Sequence, residues 1–135
     1  MYKGVSSLLL VRMAQASFHW GGCPDFTDMG QKFNVSNYQG RWYEIVRDQY
    51  TTFELTSACV NVDYKWREDG SIQVHNKAVY PYWGWYGLEG SALVSKVDGP
   101  ASLHVEFYDD PDENRKGNYH VIDTDYVSYS IVYNC

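Results

Sequence analysis

Ala58-Cys59-Val60-Asn61-Val62-Asp63-Tyr64-Lys65-Trp66 sets an apolar face, Ala58, Val60, Val62, Tyr64 and Trp66, against Cys59, Asn61, Asp63 and Lys65. A period of two over that length is the pattern of a β-strand with one buried face. Glu68-Asp69-Gly70 follows and predicts a tight hairpin turn. The same alternation then recurs along the chain. Ile72, Val74, Asn76 and Ala78 mark one face of a third strand, and Leu88, Gly90, Ala92 and Val94 mark a fourth. Asp98-Gly99-Pro100 turns into Leu103, Val105 and Phe107, whose alternates His104, Glu106 and Tyr108 are polar or amphipathic. Tyr119 and Val121 continue a sixth strand, Thr124-Asp125 turns, and Tyr126 to Asn134 reads as a seventh; upstream, Arg41 to Tyr50 reads as the first. No helical period exceeds a turn except just before Gly40. The fold class is therefore all-β, an up-and-down antiparallel sheet. Seven strands in sequence order leave two long edges unless the sheet curls on itself, and a barrel of about eight strands holds one small ligand. Small residues on the expected inner face, Ala78, Gly90 and Ala92, leave room beside Tyr64 and Phe107; a filled core is the alternative reading.

The chain has 135 residues, enough for one domain and one site. Aromatic residues make up 17% of it, with thirteen tyrosines and five tryptophans, so the interior is expected to be lined by rings with polar tips. Net charge is −6 and the lysines and arginines are scattered, which argues against nucleic acid as a partner. The four histidines, His19, His75, His104 and His120, are dispersed, show no zinc-site spacing and read as surface residues; neither a metal nor a cofactor is expected. At the N-terminus Lys3, the apolar run Val5 to Val11 and Ala14-Gln15-Ala16 read as a signal peptide over residues 1–16, too short to span a bilayer. Three cysteines in a small β-rich chain and the sequon Asn34-Val35-Ser36, with Asn34 as glycan acceptor, favour secretion to the extracellular space.

Two segments carry a family resemblance. Asn37-Tyr38-Gln39-Gly40-Arg41-Trp42-Tyr43-Glu44-Ile45 resembles the first lipocalin motif, a short 3₁₀ turn followed by Gly-x-Trp, and Thr124-Asp125-Tyr126 resembles the second. Cys23-Pro24, Phe33, Thr51-Thr52-Phe53-Glu54 and Tyr133-Asn134-Cys135 narrow the similarity to the apolipoprotein D branch, over residues 17–135. The resemblance implies a lipocalin barrel with seven of its eight strands present, because the third motif, the last strand and the C-terminal helix are missing from the sequence. It implies a longer natural chain. It also implies that Gly40, Trp42, Thr124, Asp125 and Tyr126 are structural, with the Trp42 ring across the closed end and its N–H on a backbone acceptor. Tyr129, Ile131 and Tyr133 then form the row that a helix would cover, while Ser130 and Val132 point inward.

The same resemblance pairs Cys23 with Cys135 and leaves Cys59 as a free thiol, able to link two chains in a dimer. Because an enzyme of the family uses a lone cysteine as nucleophile, an isomerase acting through Cys59 has to be weighed. Strand alternation puts Cys59 outside, and no other nucleophile has a base at motif spacing, so no catalytic residue is expected. What the resemblance implies instead is transport of a fatty acid, steroid, retinoid or bilin or carotenoid pigment. Val60, Val62, Tyr64, Ile72, Val74, Asn76, Ala78, Gly90, Ala92, Leu103, Val105, Phe107, Tyr119 and Val121 would line the cavity. A protein-interaction or inhibitor lipocalin with a filled barrel is the alternative. Tyr82, Trp83, Trp85 and Tyr86, crowded into one loop with Pro81 and Gly84, suit a lid, a contact with membrane or lipoprotein, or simple packing.

Overall fold

A computed structural model describes residues 21–25, 32–47 and 56–135. The signal-peptide reading of residues 1–16, His19 and the Thr51–Glu54 signature lie outside the described residues. A 3₁₀ turn over Val35–Tyr38 leads into seven strands: β1 Gly40–Tyr43, β2 Ala58–Trp66, β3 Ile72–Tyr80, β4 Gly84–Val94, β5 Ser102–Glu106, β6 Tyr119–Thr124 and β7 Ser130–Asn134. They form a single antiparallel sheet in sequence order, β1 to β7, curled into a half-barrel. Each register keeps the expected faces together. Val62 lies opposite Asn76, Tyr64 opposite Val74, Ala92 opposite Val105, Leu103 opposite Tyr119 and Val121 opposite Val132.

The turns follow from side chains that compete for backbone groups. At the β2–β3 turn Asp69 Oδ1 accepts from the backbone N–H and the hydroxyl of Ser71, and Gly70 takes the left-handed φ of 84°. At the β6–β7 turn Asp125 Oδ1 accepts the N–H groups of Val127, Ser128 and Tyr129, at 2.9, 2.7 and 3.1 Å. The Ser128 hydroxyl and these amides hold the Asp125 carboxyl far below the usual carboxylate range. This knot takes up the start of the expected seventh strand: Tyr126 sits at φ 65°, and pairing begins at Ser130 rather than at Tyr126.

Four further boundaries depart from the sequence reading. β1 ends at Tyr43, with the Glu44 N–H on the Val60 carbonyl just beyond it, so residues 44–47 are not strand; the rest of the expected first strand, to Tyr50, lies outside the described residues. The aromatic loop is shorter than expected, because Trp85 and Tyr86 belong to β4 and pair with Val79 and Ala78. In β2 a register shift between Ala58 and Asn61 inserts one extra residue, with Cys59 at φ 53°. The bulge moves Ala58 out of the inner set, opposite Val79, and the simple alternation that assigned Cys59 a face does not run through it. Finally, His104 and His120 do point outward but are not surface residues, each being 3% exposed. The 109–117 loop folds back over His104, whose Nδ1 accepts the Asp112 N–H at 3.0 Å, while His120 is held from the neighbouring strand, its Nδ1 2.8 Å from Ser102 Oγ. Burial of the His120 ring pulls its pKa below the ordinary imidazole value.

The core gathers at one end. Tyr38, Tyr64, Ile72, Val74, Ala92, Leu103 and Val121 are buried there, and the β2–β3, β4–β5 and β6–β7 turns lie at that end. Cys23 and Cys135 are bonded across a separation of 112 residues with a Cα–Cα distance of 5.8 Å, which fastens the N-terminal segment beside β7. Reducing such a loop costs about 4 to 5 kcal/mol in the chain-entropy view.

Gly90 is the position where the sheet tolerates no side chain. A Cβ there would meet the Glu106 carbonyl oxygen at 2.5 Å and Phe107 Cδ1 at 2.6 Å. Gly90→Ala is therefore expected to lower stability by about 1 to 3 kcal/mol in urea denaturation. Adding Phe107→Ala should not restore it, since the backbone oxygen remains; full rescue by the second change would place the conflict on the ring alone.

Candidate ligand-binding site

The inward positions of the sheet divide into a packed floor and a more open wall. Tyr64, Ile72, Val74, Ala92, Leu103 and Val121 are the floor, none more than 7% exposed, with Ala78 close to them in burial. Val60, Val62, Asn76, Gly90, Val105, Phe107 and Tyr119 are half-buried; Gly90, Val105 and Tyr119 pair directly with the floor residues Val74, Ala92 and Leu103. Apart from Val60, which lies in the β2 bulge, the residues expected to line a cavity share the concave face, and among the described residues none of the inward strand positions carries a charge. One expectation is corrected. Gly90 does not leave empty space beside Phe107, because the Phe107 ring itself occupies that space.

What closes the floor is an aromatic stack that the sequence reading reached only in part. Tyr38, at the end of the 3₁₀ turn and 2% exposed, stacks on Trp42 with ring centroids 5.1 Å apart, and Trp42 Nε1–H donates to the Tyr38 carbonyl at 3.3 Å. Phe33 meets Tyr38 edge-on at 5.3 Å and stacks on Tyr126 at 5.8 Å. The Tyr126 hydroxyl accepts the Asn34 N–H at 2.9 Å. The two quoted motifs are therefore joined through the residues just ahead of the first: Phe33 and Asn34 meet Tyr126, which the Asp125 knot holds, while Phe33 also meets Tyr38 of the first motif, stacked on Trp42. Phe33 and Tyr38 had shown only as letters of a motif; the one signal of their role was the helical period just ahead of Gly40.

Above the stack lies a set of hydroxyls. Tyr38 Oη is 2.6 Å from Ser130 Oγ and 3.2 Å from Tyr119 Oη, and the Tyr64 ring meets that of Tyr119 edge-on with centroids 6.1 Å apart. Burial is the main reason that Tyr38, Tyr64 and Tyr119 all hold their protons more tightly than a free phenol. They are hydrogen-bond donors at any ordinary pH. Ser130 faces inward as expected, and Ile131 and Tyr133 are exposed on the other face.

The opposite rim has another character. Tyr82, Trp83, Trp85 and Tyr86 are exposed, and Tyr80 meets Tyr86 edge-on at 6.2 Å. Ile45 and Val46, just beyond β1, are exposed too. Cys59 is exposed and free. Among the described residues no group of three or more His, Cys, Asp or Glu side chains could hold a metal ion, and no helix is long and apolar enough to cross a membrane. A separate hollow of about 460 Å³ lies on the outer side, between the Cys23–Cys135 bond, His104, His120 and Arg115.

A curled up-and-down antiparallel sheet with an aromatic plug at one end and an uncharged concave face defines a lipocalin-like half-barrel. Residues 33–133 match the family described as the Lipocalin-like domain, and the chain belongs to the lipocalin family. Within it the chain is apolipoprotein D-like. It is 37% identical to apolipoprotein D of Rattus norvegicus over 119 residues, which cover 88% of this chain and 60% of that protein. Apolipoprotein D of Oryctolagus cuniculus is 35% identical over 135 residues, covering 100% of this chain and 68% of that one. The Lazarillo protein of Schistocerca americana is 28% identical over 136 residues, with 96% and 59% covered. Among solved structures, the cockroach allergen Per a 4 superposes with a TM-score of 0.61 at 25% identity, covering 83% of this chain and 67% of that one. Lobster apocrustacyanin A1 gives 0.54 at 19% identity, covering 75% and 52%, a likeness of fold.

The stack accounts for the weight the motifs carry. Trp42→Ala removes a half-buried indole, its bond to Tyr38 and the support of the Tyr38 ring, so a loss of about 3 to 5 kcal/mol is expected in thermal or urea denaturation. A loss below about 1 kcal/mol would show that the floor stands without it.

Proposed function

We propose that this chain binds a small hydrophobic molecule against its concave face and carries it in the extracellular space, performing no chemistry on it. The carrying observation is the division of that face: a floor already packed and plugged, and an uncharged, half-buried wall of Val62, Asn76, Val105, Phe107 and Tyr119 above it. Apolar surface left half-covered on a concave sheet gains free energy when a ligand completes its burial, about 25 cal/mol per Å². Fatty acids, steroids, retinoids and bilin or carotenoid pigments fit such a wall. Family membership supports the same reading, in preference to an inhibitor with a filled barrel or an isomerase acting through Cys59.

The rim of Tyr82, Trp83, Trp85 and Tyr86 supports a contact with membrane or lipoprotein during loading. Tryptophan and tyrosine rings settle at lipid–water interfaces, and these four are exposed at the end away from the plug. Secretion draws support from the Cys23–Cys135 disulfide and from the sequon. Asn34 is exposed, and its Oδ1 already takes both the N–H and the hydroxyl of Ser36, at 3.0 and 2.6 Å. The amide nitrogen that a glycan would occupy makes no part of that cap.

Titration with a retinoid, a steroid, a fatty acid and a bilin should quench or shift tryptophan emission in a saturable way for at least one of the four. No saturable response to any of them would favour the filled-barrel module. Made through a eukaryotic secretory pathway, the protein should lose mass on treatment with a peptide N-glycosidase, and Asn34→Gln should abolish that loss. An unmodified secreted chain would remove Asn34 from the reading.

A further inference from the structure

Resting on the carriage reading above, we infer that the interior selects ligands by a hydrogen bond from the hydroxyl chain Ser130–Tyr38–Tyr119 to a neutral acceptor, a ketone or similar carbonyl oxygen, at the end of the ligand that enters first. Three hydroxyls bring three O–H hydrogens. They are joined by two contacts, Ser130 to Tyr38 at 2.6 Å and Tyr38 to Tyr119 at 3.2 Å. Each contact uses one hydrogen whichever group donates, so one hydrogen has no acceptor inside the chain. A donor left unsatisfied in a buried place costs about 1 to 3 kcal/mol, and an acceptor on the ligand removes that cost.

Position and charge define the acceptor further. Tyr38 is 2% exposed, whereas Tyr119 is half-buried. With Ser130 donating to Tyr38 and Tyr38 to Tyr119, the surplus hydrogen sits on Tyr119. Among the described residues the inward strand positions carry no cation to neutralise a carboxylate, and an ion moved into such surroundings without a partner is strongly disfavoured. A neutral carbonyl keeps the acceptor without that penalty.

The test uses the oxidised chain with N-phenyl-1-naphthylamine as a neutral fluorescent probe, displaced at pH 8 by 2-undecanone, 1-undecene or undecanoate. The inference expects Tyr119→Phe to weaken 2-undecanone about tenfold while changing 1-undecene less than twofold. Tyr119→Leu, a second variant should the first fail to fold, is expected to narrow the preference for ketone over alkene in the same way, and the exposed control Tyr108→Phe to change neither compound. Equal weakening of ketone and alkene, or no effect on either, overturns the donor role while leaving carriage in place. Undecanoate binding more tightly than 2-undecanone overturns the preference for a neutral acceptor. Failure of the probe and of all three compounds to bind saturably removes the carriage reading, and this inference with it.

Discussion

Tyr38 meets four constraints with one side chain. Its ring is stacked on Trp42 and edge-on to Phe33, its carbonyl takes the Trp42 indole N–H, and its hydroxyl reaches Ser130 on β7. The last contact matters because β1 and β7 are the two ends of the strand order and do not pair with each other. Where a closed barrel has backbone ladder bonds, this chain has a side-chain clasp between the 3₁₀ turn and the β6–β7 segment. The Asn34 N–H on the Tyr126 hydroxyl and the Phe33–Tyr126 stack complete it. Curvature of the sheet, and with it the concave face that a ligand would touch, depends on that clasp at one end and on the disulfide beside it.

The alternation in β2 and β3 was enough to read the architecture, because a half-buried strand imposes its period on every side chain. The order of strands, the turns at Gly70 and Gly99, and the inward set from Val62 to Val121 were legible for that reason. Boundaries were less so. The Asp125 knot competes with strand pairing by offering the backbone a carboxylate, and nothing in the spacing of Tyr126 to Asn134 distinguishes the two outcomes. The bulge at Cys59 is likewise invisible, since one inserted residue leaves a short apolar alternation looking intact.

The site was legible as a face, not as a depth. Periodicity can tell which residues share the concave side, but Tyr64 and Tyr119 read alike, although one belongs to a buried floor and the other to a half-buried wall. That distinction comes from where the strands cross and from Tyr38, which lies outside the strands altogether. His104 and His120 show the converse: their outward direction was correctly read, but a loop of nine residues, 109–117, folds back over His104, and His120 is held from the neighbouring strand, so neither is the surface residue that direction alone would expect.

Every strand pairs only with its neighbours in sequence, and this has a consequence for how the chain finds its shape. Hairpins such as β3–β4, whose strands are separated only by residues 81–83, close with little loss of chain freedom. The clasp instead joins residues 92 positions apart, Asn34 to Tyr126 and Tyr38 to Ser130. In a topology so biased toward local pairing, the meander assembles as a growing ribbon and its curl is fixed last, when the N-terminal turn docks. Until that step the future interior is one side of an open ribbon, so a lipophilic molecule present during folding would find its binding surface before the plug is set.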